Sequence, residues 1–267
     1  VATGVVQAFQ NCLRENGIDP KDVIFVAHST TQATNALIEG DVANVGVIGV
    51  GPKGVGGWIA KAQTNMKDIN LGSGRFIRLK NRFICDENLS DQLVTDTIKS
   101  LVGDGAQVIV ASESYGVDDM ENETGICKIA KDMGLEATAA SEITKLYGLT
   151  RRTRTAAINA SILPKMLNTA NSTEQSVKSA GVEVPLMIMR GDGGVMEISE
   201  MKKRPVLTML SGPAASVMGS LMYLRASNGV YFEVGGTTTN IGVIKDGRPA
   251  IDYSNVGGHR TYISSLD

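Results

Sequence analysis

The residues best suited to chemistry form a short turn near the carboxyl end, rich in glycine and threonine. The turn is Gly235-Gly236-Thr237-Thr238-Thr239. Paired glycines let the backbone approach an anion, and their N–H groups can form a concave nest, while threonine hydroxyls donate to phosphate or reach a phosphate-bound cation. Glu233, two residues before the turn, would hold a metal ion or its water beside the phosphates. The pattern favours a phosphate-binding turn, and an ordinary glycine-rich β-hairpin is the alternative.

A second polar cluster covers residues 28–35, where a predicted strand ends and a predicted helix begins. Ligands bind at the carboxyl ends of strands in open α/β sheets, and helix N-termini favour anions. Capping of the helix by Ser29 or Thr30 explains much of the polarity. Because capping does not explain His28 and Asn35, we predict catalytic roles for these two residues.

Two further clusters follow in the second half of the chain. Residues 189–194 contain Arg190 and Asp192, which could present a cation and a carboxylate to a phosphate or metal, or could form a solvated turn. Asp192 is the third candidate catalytic residue. Ser211 and Gly212 begin a small-residue segment at a predicted helix start, which would let the helix approach a ligand or pack tightly on the sheet. The glycine-rich segment 49–57 is predicted to be a plain loop, and because it lacks the Walker pattern it is not predicted to be a P-loop.

The composition excludes several classes of protein. The chain has 267 residues, 42% hydrophobic content and a net charge of −2, which is typical of a globular protein with one large or two smaller cores. Aromatic residues are only 4%, and basic residues are scattered, so no nucleic-acid surface is indicated. The densest basic run, 151–154, is predicted to be a solvated helix face.

The sequence also bears on the cellular compartment. No apolar stretch reaches membrane-spanning length and no signal peptide is visible. Cys12, Cys85 and Cys127 are odd in number and widely spaced, which favours reduced thiols over a disulfide framework or a zinc site. We therefore expect a cytoplasmic protein without a membrane segment.

The predicted elements alternate between helix and strand, which indicates an α/β fold. A domain boundary is predicted near residue 150, where a long helix begins, giving domains 1–150 and 151–267. Helices are predicted at 1–16, 31–39, 90–102, 119–133, 152–180 and 214–225. Strands are predicted at 22–28, 44–50, 107–112, 136–141, 186–190 and on both sides of the Gly-Thr turn. Residues 58–89 are predicted to be looser.

In this order, the four motifs resemble the hydantoinase A/5-oxoprolinase family. The resemblance covers nearly the whole chain, and its most specific part is the Ser-Gly-Pro-Ala turn followed by the Gly-Gly-Thr turn. The motifs are residues 28–36, 189–194, 204–215 and 233–239. The resemblance implies the ribonuclease-H-like ATPase fold of actin and sugar kinases, with mixed sheets flanked by helices and the nucleotide bound in a cleft.

The resemblance also implies roles for residues. Gly235, Gly236, Thr237, Thr238 and Thr239 match the second phosphate loop of such a fold, while Ser211 and Gly212 belong to its nucleotide-binding motifs. Glu233 stands at the metal-facing position, where the family usually has Asp. Asn240 stands where a second Asp is usual, which removes a charge. The family's first phosphate loop and a later glycine-rich segment are absent, so we expect a central fragment of a longer protein, incomplete at both ends.

The function implied is ATP-dependent opening of a cyclic amide such as hydantoin or 5-oxoproline. Phosphorylation of the carbonyl oxygen would activate the ring, with Mg²⁺ or Mn²⁺ neutralising phosphate charge. A hydantoinase B-type subunit, a homo-oligomer or both are the expected partners. The alternatives are a non-catalytic actin-like ATPase module, a small-molecule kinase and an ATP-dependent ketone carboxylase subunit.

Overall fold

The computed structural model describes residues 2–225, 227–234 and 239–266. Helices and strands alternate along most of the chain, as the sequence predicts. The helices are α1 (Ala2–Glu15), α2 (Gln32–Glu39), α3 (Val55–Thr64), α4 (Asp91–Gly103), α5 (Glu121–Asp132), α6 (Ala140–Ile143), α7 (Leu149–Ser179), α8 (Ile198–Met201) and α9 (Ser211–Leu224). The strands are β1 (Val26–His28), β2 (Val45–Gly51), β3 (Ile69–Gly72), β4 (Arg75–Ile77), β5 (Leu79–Cys85), β6 (Val108–Glu113), β7 (Glu136–Ala139), β8 (Leu186–Met189), β9 (Val195–Glu197), β10 (Gly229–Val234), β11 (Thr239–Lys245), β12 (Arg248–Pro249), β13 (Ile251–Val256) and β14 (His259–Leu266).

The chain folds into two compact units, each discontinuous in sequence. The first unit contains Val1–Thr34, Lys165–Asp252 and Ser264–Asp267, and the second contains Asn35–Pro164 and Tyr253–Ile263. The chain passes between the units within α2 and at Pro164, which lies inside α7.

A parallel sheet with the order β5-β2-β6-β7 forms the centre of the second unit. Every residue of β2 is buried, and so is every residue of β6. Such continuous apolar runs are expected where helices cover both faces of a parallel sheet. Helices α4 and α5 connect its successive strands, and Ile98 and Ile126 from these helices pack into its core.

Residues 58–89, predicted to be loose, contain an ordered helix and three strands. Helix α3 begins inside the glycine-rich segment and packs directly on β2. A Cβ at Gly49 would lie 2.2 Å from Thr64 Oγ1, and one at Gly51 would lie 2.8 Å from the Ala60 Cβ. The glycines therefore permit close packing of a helix on a strand, and the prediction of a plain loop over 49–57 was wrong.

The first unit contains two smaller sheets, with orders β1-β8-β9 and β10-β11-β12. β1 and β8 are parallel, whereas β9 and the β10–β12 strands are antiparallel to their neighbours. The mixed sheets flanked by helices confirm the predicted α/β fold. Among the described residues, no helix combines the length and the apolar character that crossing a bilayer requires.

The prediction of a solvated helix face for the basic run 151–154 was wrong, because Arg152 and Thr153 are buried and the other two residues are half-buried. Arg152 is only 1% exposed and is the largest fully buried side chain described. Its guanidinium donates to the carbonyl oxygens of Glu113 and Leu146. Arg152 therefore fixes the start of α7 to the end of β6 from inside the second unit.

Candidate functional site

The first unit brings two predicted clusters to one edge of a sheet. β1 and β8 are parallel and in register, with His28 opposite Ile188. The loops that follow His28 and Met189 therefore begin at neighbouring strand ends. This edge is the carboxyl end of both strands, where α/β proteins bind ligands.

Ser211 joins the start of α9 to the 28–35 cluster. Its Oγ donates to the Thr30 carbonyl oxygen at 2.9 Å and lies 3.4 Å from Ser29 Oγ. One residue earlier, the Leu210 N–H donates to Thr34 Oγ1 at 3.1 Å. Leu210 adopts a left-handed backbone conformation with φ 58°, which is uncommon for a branched apolar residue. The start of α9 is thus held against the loop that follows β1.

Gly191 lies where no side chain fits. Its N–H donates to the Leu207 carbonyl oxygen at 2.8 Å, and its own carbonyl oxygen accepts from the Leu266 N–H at 2.9 Å. A Cβ at this position would lie 1.9 Å from the Met209 carbonyl oxygen. Two backbone segments, 207–209 and 264–266, therefore pack around this glycine, which explains why the 189–194 motif needs it.

Asp192 stabilises its own turn. Its carboxylate accepts from the Gly194 N–H at 3.1 Å and from the Arg190 guanidinium. The Asp192 side chain is 17% exposed and that of Arg190 is 34% exposed. The Arg190 Nε is buried and has no hydrogen-bond partner in the part of the chain that the structure describes. The pair therefore forms a shielded ion pair in the turn between β8 and β9.

His28 has an apolar environment. It lines a small cavity of about 90 Å³ together with Phe9, Val177 and Leu186. Burial lowers the pKa of the His28 imidazole below its ordinary value of 6.5, because the charged form loses hydration. The imidazole is therefore neutral at neutral pH. Asn35, in contrast, is exposed on α2.

The capping role predicted for Thr30 is confirmed. Its Oγ1 accepts from the Gln32 N–H at 3.3 Å, at the start of α2. Thr30 is buried, as is Ser211. Thr34 was not singled out from the sequence, because its bond to Leu210 joins segments 176 positions apart.

The predicted phosphate turn joins two paired strands. In the β10–β11 ladder, Val234 pairs with Thr239 and Glu233 pairs with Asn240. The Asn240 side-chain amide donates to Glu233 Oε2 at 3.2 Å, and both side chains are half-buried. The predicted residues Gly235, Gly236, Thr237 and Thr238 lie outside the described residues.

Helix α9 contacts both this hairpin and the 190–194 loop. A Cβ at Gly242 of β11 would lie 3.4 Å from Val217 Cγ2. A Cβ at Gly193 would lie 3.1 Å from Met218 Cγ. Neighbouring residues of one helix thus contact two of the predicted motifs.

The donor types near the turn suit a hard divalent cation. Glu233 offers a carboxylate and Thr239 a hydroxyl, and oxygen ligands are those that Mg²⁺ prefers. The described residues contain no group of three or more His, Cys, Asp or Glu that could hold a metal ion. A cation held by Glu233 would therefore take most of its ligands from phosphate and water, which is the usual arrangement for Mg²⁺ bound with a nucleotide.

Comparison with known families decides the relationship. The hydantoinase/oxoprolinase N-terminal region matches residues 1–134, and the hydantoinase/oxoprolinase domain matches residues 152–267. The chain belongs to the hydantoinase/oxoprolinase family. The resemblance inferred from the four motifs is thereby confirmed.

Two solved structures share the fold of this hydantoinase/oxoprolinase chain. An acetone carboxylase in a nucleotide-free structure, from work on ATP-dependent acetone carboxylation, superposes with a TM-score of 0.76 at 17% identity. It covers 100% of this chain and 42% of the other. An ATP-dependent caprolactamase from Pseudomonas jessenii superposes with a TM-score of 0.68 at 17% identity, covering 98% of this chain and 42% of the other.

A curated relative matches part of the sequence. An uncharacterized protein of Methanocaldococcus jannaschii is 27% identical over 158 residues, which is 57% of this chain and 23% of the relative. The hydantoinase/oxoprolinase chain thus spans less than half the length of each of these three proteins.

Proposed function

We propose that this chain forms part of a subunit that opens a cyclic amide at the expense of ATP. Membership of the hydantoinase/oxoprolinase family supports the substrate class. One structural neighbour is an acetone carboxylase from work on ATP-dependent acetone carboxylation and the other is an ATP-dependent caprolactamase, which supports the use of ATP. The subunit would be longer than this chain, since each neighbour extends well beyond it.

The observation that carries the proposal is the Glu233–Asn240 pair beside the Gly-Thr turn. Glu233 lies one residue before the last described residue of β10, and Asn240 holds its carboxylate from across the ladder. A carboxylate fixed next to a turn of glycines and threonines suits a metal-bound triphosphate. Because Asn240 already fixes the Glu233 carboxylate, less conformational entropy is lost when nucleotide binds.

When bound, Mg²⁺-ATP would supply the phosphoryl group that activates the amide carbonyl oxygen for attack by water. This chain would contribute positioning and charge compensation, since phosphoryl transfer needs little covalent work from the protein. Glu233 would orient the cation, and the Thr239 hydroxyl would donate to phosphate. The start of α9, fixed by the Ser211–Thr30 bond, would direct backbone N–H groups to the same ligand.

The proposed roles of the three candidate catalytic residues differ in their structural support. A neutral His28 imidazole could accept a proton, although it lines an apolar cavity. The Asp192 carboxylate already accepts hydrogen bonds from Arg190 and Gly194, which favours a role in holding the 190–194 loop in place. Asn35 is exposed and could bind substrate.

A hydantoinase B-type subunit, a second copy of the chain or both remain the proposed partners.

Product analysis tests the proposal. The protein would be incubated with ATP, Mg²⁺ or Mn²⁺, and either hydantoin or 5-oxoproline, with ADP and the ring-opened product measured together. We expect one ring opened for each ADP released. ADP release with no ring opening in the presence of the proposed partner subunit would contradict the cyclic-amide assignment.

One observation favours a second candidate function. Asn240 is neutral, and its amide group occupies an oxygen of Glu233 at 3.2 Å. A site with one carboxylate in place of two could bind nucleotide without hydrolysing it. A non-catalytic ATPase module would then bind Mg²⁺-ATP and release no ADP in the same assay. A phosphorylated small molecule, or carboxylated acetone when acetone and bicarbonate are supplied, would indicate a kinase or a ketone carboxylase subunit.

A further inference from the structure

The second unit contains a cavity to which no function has been assigned. Its volume is about 300 Å³, within the range of small-molecule sites. Pro52 lines it directly after β2, and Ser114 and Tyr115 line it directly after β6. β2 and β6 are parallel neighbours, so the cavity lies at the carboxyl ends of the strands, where α/β sheets bind ligands.

Two buried polar groups of the cavity wall have no hydrogen-bond partner among the described residues. They are Ser114 Oγ and Arg152 Nε. Leaving such a group unsatisfied costs about 1–3 kcal/mol, so native proteins retain few of them. Both occur in residues that line one cavity, which points to a ligand as the missing partner.

The positive charge of Arg152 is not matched by a dedicated carboxylate. Its guanidinium donates to the backbone carbonyl oxygens of Glu113 and Leu146. Glu123 acts on Arg152 electrostatically, but its carboxylate accepts from the Glu113 N–H at 2.8 Å and from the Ser141 N–H at 2.7 Å. The Glu113 carboxylate accepts from the Asn122 amide.

The buried acids are themselves poorly solvated. Burial raises the pKa values of both Glu113 and Glu123, since an ionised carboxylate loses hydration there. Asp118 and Tyr262 are the other acidic groups that act on Arg152, and the Tyr147 hydroxyl donates to Asp118 at 2.6 Å. An anion in the cavity would thus find a buried cation whose nearby acids already accept hydrogen bonds from other groups.

The remaining walls suit a flat apolar body. Tyr115 and Tyr147 contribute aromatic rings and are 71% and 61% exposed, and Ile59 adds an aliphatic surface. Tyr115 has φ 65°, a left-handed conformation that a bulky residue rarely adopts. Backbone strain of this kind persists where the surrounding structure holds a residue in place, often at ligand sites.

We propose that this cavity binds a small carboxylate carried on a flat apolar group. The ligand carboxylate would accept a hydrogen bond from Ser114 Oγ, which would turn towards the cavity by rotation about the Cα–Cβ bond. The buried Arg152 guanidinium would provide the compensating positive charge, and the low dielectric of its surroundings would strengthen its attraction for the ligand carboxylate. The proposal does not depend on ATP chemistry, because the residues of the Gly-Thr turn belong to the other compact unit.

The chain provides its own reporter for this site. Its single tryptophan, Trp58, lies on α3 next to Ile59 and Ala60, which line the cavity. Sodium benzoate and its neutral counterpart benzamide would be titrated while the Trp58 emission is followed. We expect benzoate to change the emission and to bind at least about 10-fold more tightly than benzamide. Equal affinities, or no binding of benzoate up to about 10 mM, would overturn the proposal.

A pair of serine variants locates the binding. Ser114→Ala removes the hydroxyl without a partner, and we expect benzoate affinity to fall about 10-fold or more, as for a lost hydrogen bond to a charged group. Ser112→Ala is the matched control, because Ser112 Oγ pairs with Thr153 Oγ1 at 2.7 Å and does not line the cavity. Circular dichroism would verify that both variants fold. Wild-type affinity in Ser114→Ala, or an equal loss in both variants, would refute the site.

Discussion

At the scale of single residues, the candidate site depends on backbone contacts more than on charged side chains. Ser211 holds the Thr30 carbonyl oxygen, and Gly191 accepts and donates backbone bonds on two sides. Asp192 and Arg190 form an ion pair within one turn. The motifs of this family therefore specify how loops pack at the strand ends as well as which groups could face a ligand.

The packing around Gly191 predicts a large loss of stability for Gly191→Ala. The new Cβ would lie 1.9 Å from the Met209 carbonyl oxygen, so the backbone must move. We expect a loss of about 3 kcal/mol in the free energy of unfolding, measured by urea denaturation.

Gly219→Ala is the matched control for this substitution. Gly219 lies exposed within α9, and nothing lies within 4 Å of a Cβ there. Alanine is the better helix former, so we expect this variant to gain up to about 1 kcal/mol. Similar free energies of unfolding for the two variants would show that the 190–194 loop does not pack as described.

His28 predicts a pH dependence of stability. Its pKa is lowered in the folded state by burial, so the unfolded state binds the proton more tightly. Stability therefore falls as the pH drops below 6.5 towards the folded-state pKa. In His28→Gln this component is absent. We expect the melting temperature of the wild type to fall relative to that of His28→Gln between pH 7.5 and 5.5, and a constant difference would argue against burial of the imidazole.

At the scale of elements, a buried arginine is one of the residues that attach α7 to the second unit. Arg152 donates to the end of β6 and to the loop before α7. Its charge also lowers the cost of burying Glu123. A substitution of Arg152 would therefore disturb the attachment of a 31-residue helix, whereas a substitution of a surface arginine would only remove a solvated charge.

Arg152→Met should lower the free energy of unfolding by about 3 kcal/mol, because two backbone carbonyl oxygens lose a charged donor and the buried Glu123 loses a compensating charge. The pKa of Glu123 should rise further, so its folded-state pKa lies further above the ordinary value of 4.5. The folded state then binds the proton more tightly, and the deficit should shrink as the pH falls from 7 to 5.

Arg154→Met serves as the control on the same helix. Arg154 is only half-buried, so its loss should cost less than about 1 kcal/mol in urea denaturation. A deficit in Arg152→Met that is equally small, or that grows as the pH falls, would contradict the described environment of Arg152.

The sequence predicts the long, strongly periodic elements well. It does not predict the elements whose formation depends on packing against the rest of the chain. Helices α4, α5 and α7 and the strands β2 and β6 lie close to their predicted positions. Strand β5 was missed because it lies at the sheet edge and contains the polar run Lys80-Asn81-Arg82. Helix α3 was missed because glycines occur at its start. At Gly57 a Cβ would lie 1.8 Å from the Pro52 carbonyl oxygen, so no side chain fits there.

The candidate site was predictable as motifs but not as geometry. The sequence indicated Ser211, Asp192 and Glu233 as residues of interest. It gave no sign that Ser211 bonds Thr30 or that Asn240 holds Glu233, because those contacts depend on strand register and on segments far apart in sequence. The burial of Arg152 was equally hidden, since its partners lie at positions 113 and 146.

At the scale of the whole molecule, the two proposed sites differ in chemistry and are assigned to different compact units. The first unit contains the predicted phosphate-binding turn, and the second contains the cavity with a buried cation. Family membership rests on matches along most of the chain, from residue 1 to 134 and from 152 to 267. The central claim is that the Gly-Thr turn with Glu233 binds the phosphates of Mg²⁺-ATP.

Isothermal titration of Mg²⁺-ATP tests this claim most directly. It would be applied to the 267-residue chain and to any longer native product that contains it, each as wild type, Glu233→Gln and Glu197→Gln. Glu197 is exposed on β9 and serves as the matched control. We predict binding by the wild type, a loss of about 10-fold or more in Glu233→Gln, and no change in Glu197→Gln. Equal affinity in all three, or no binding by any form of the protein, would contradict the account.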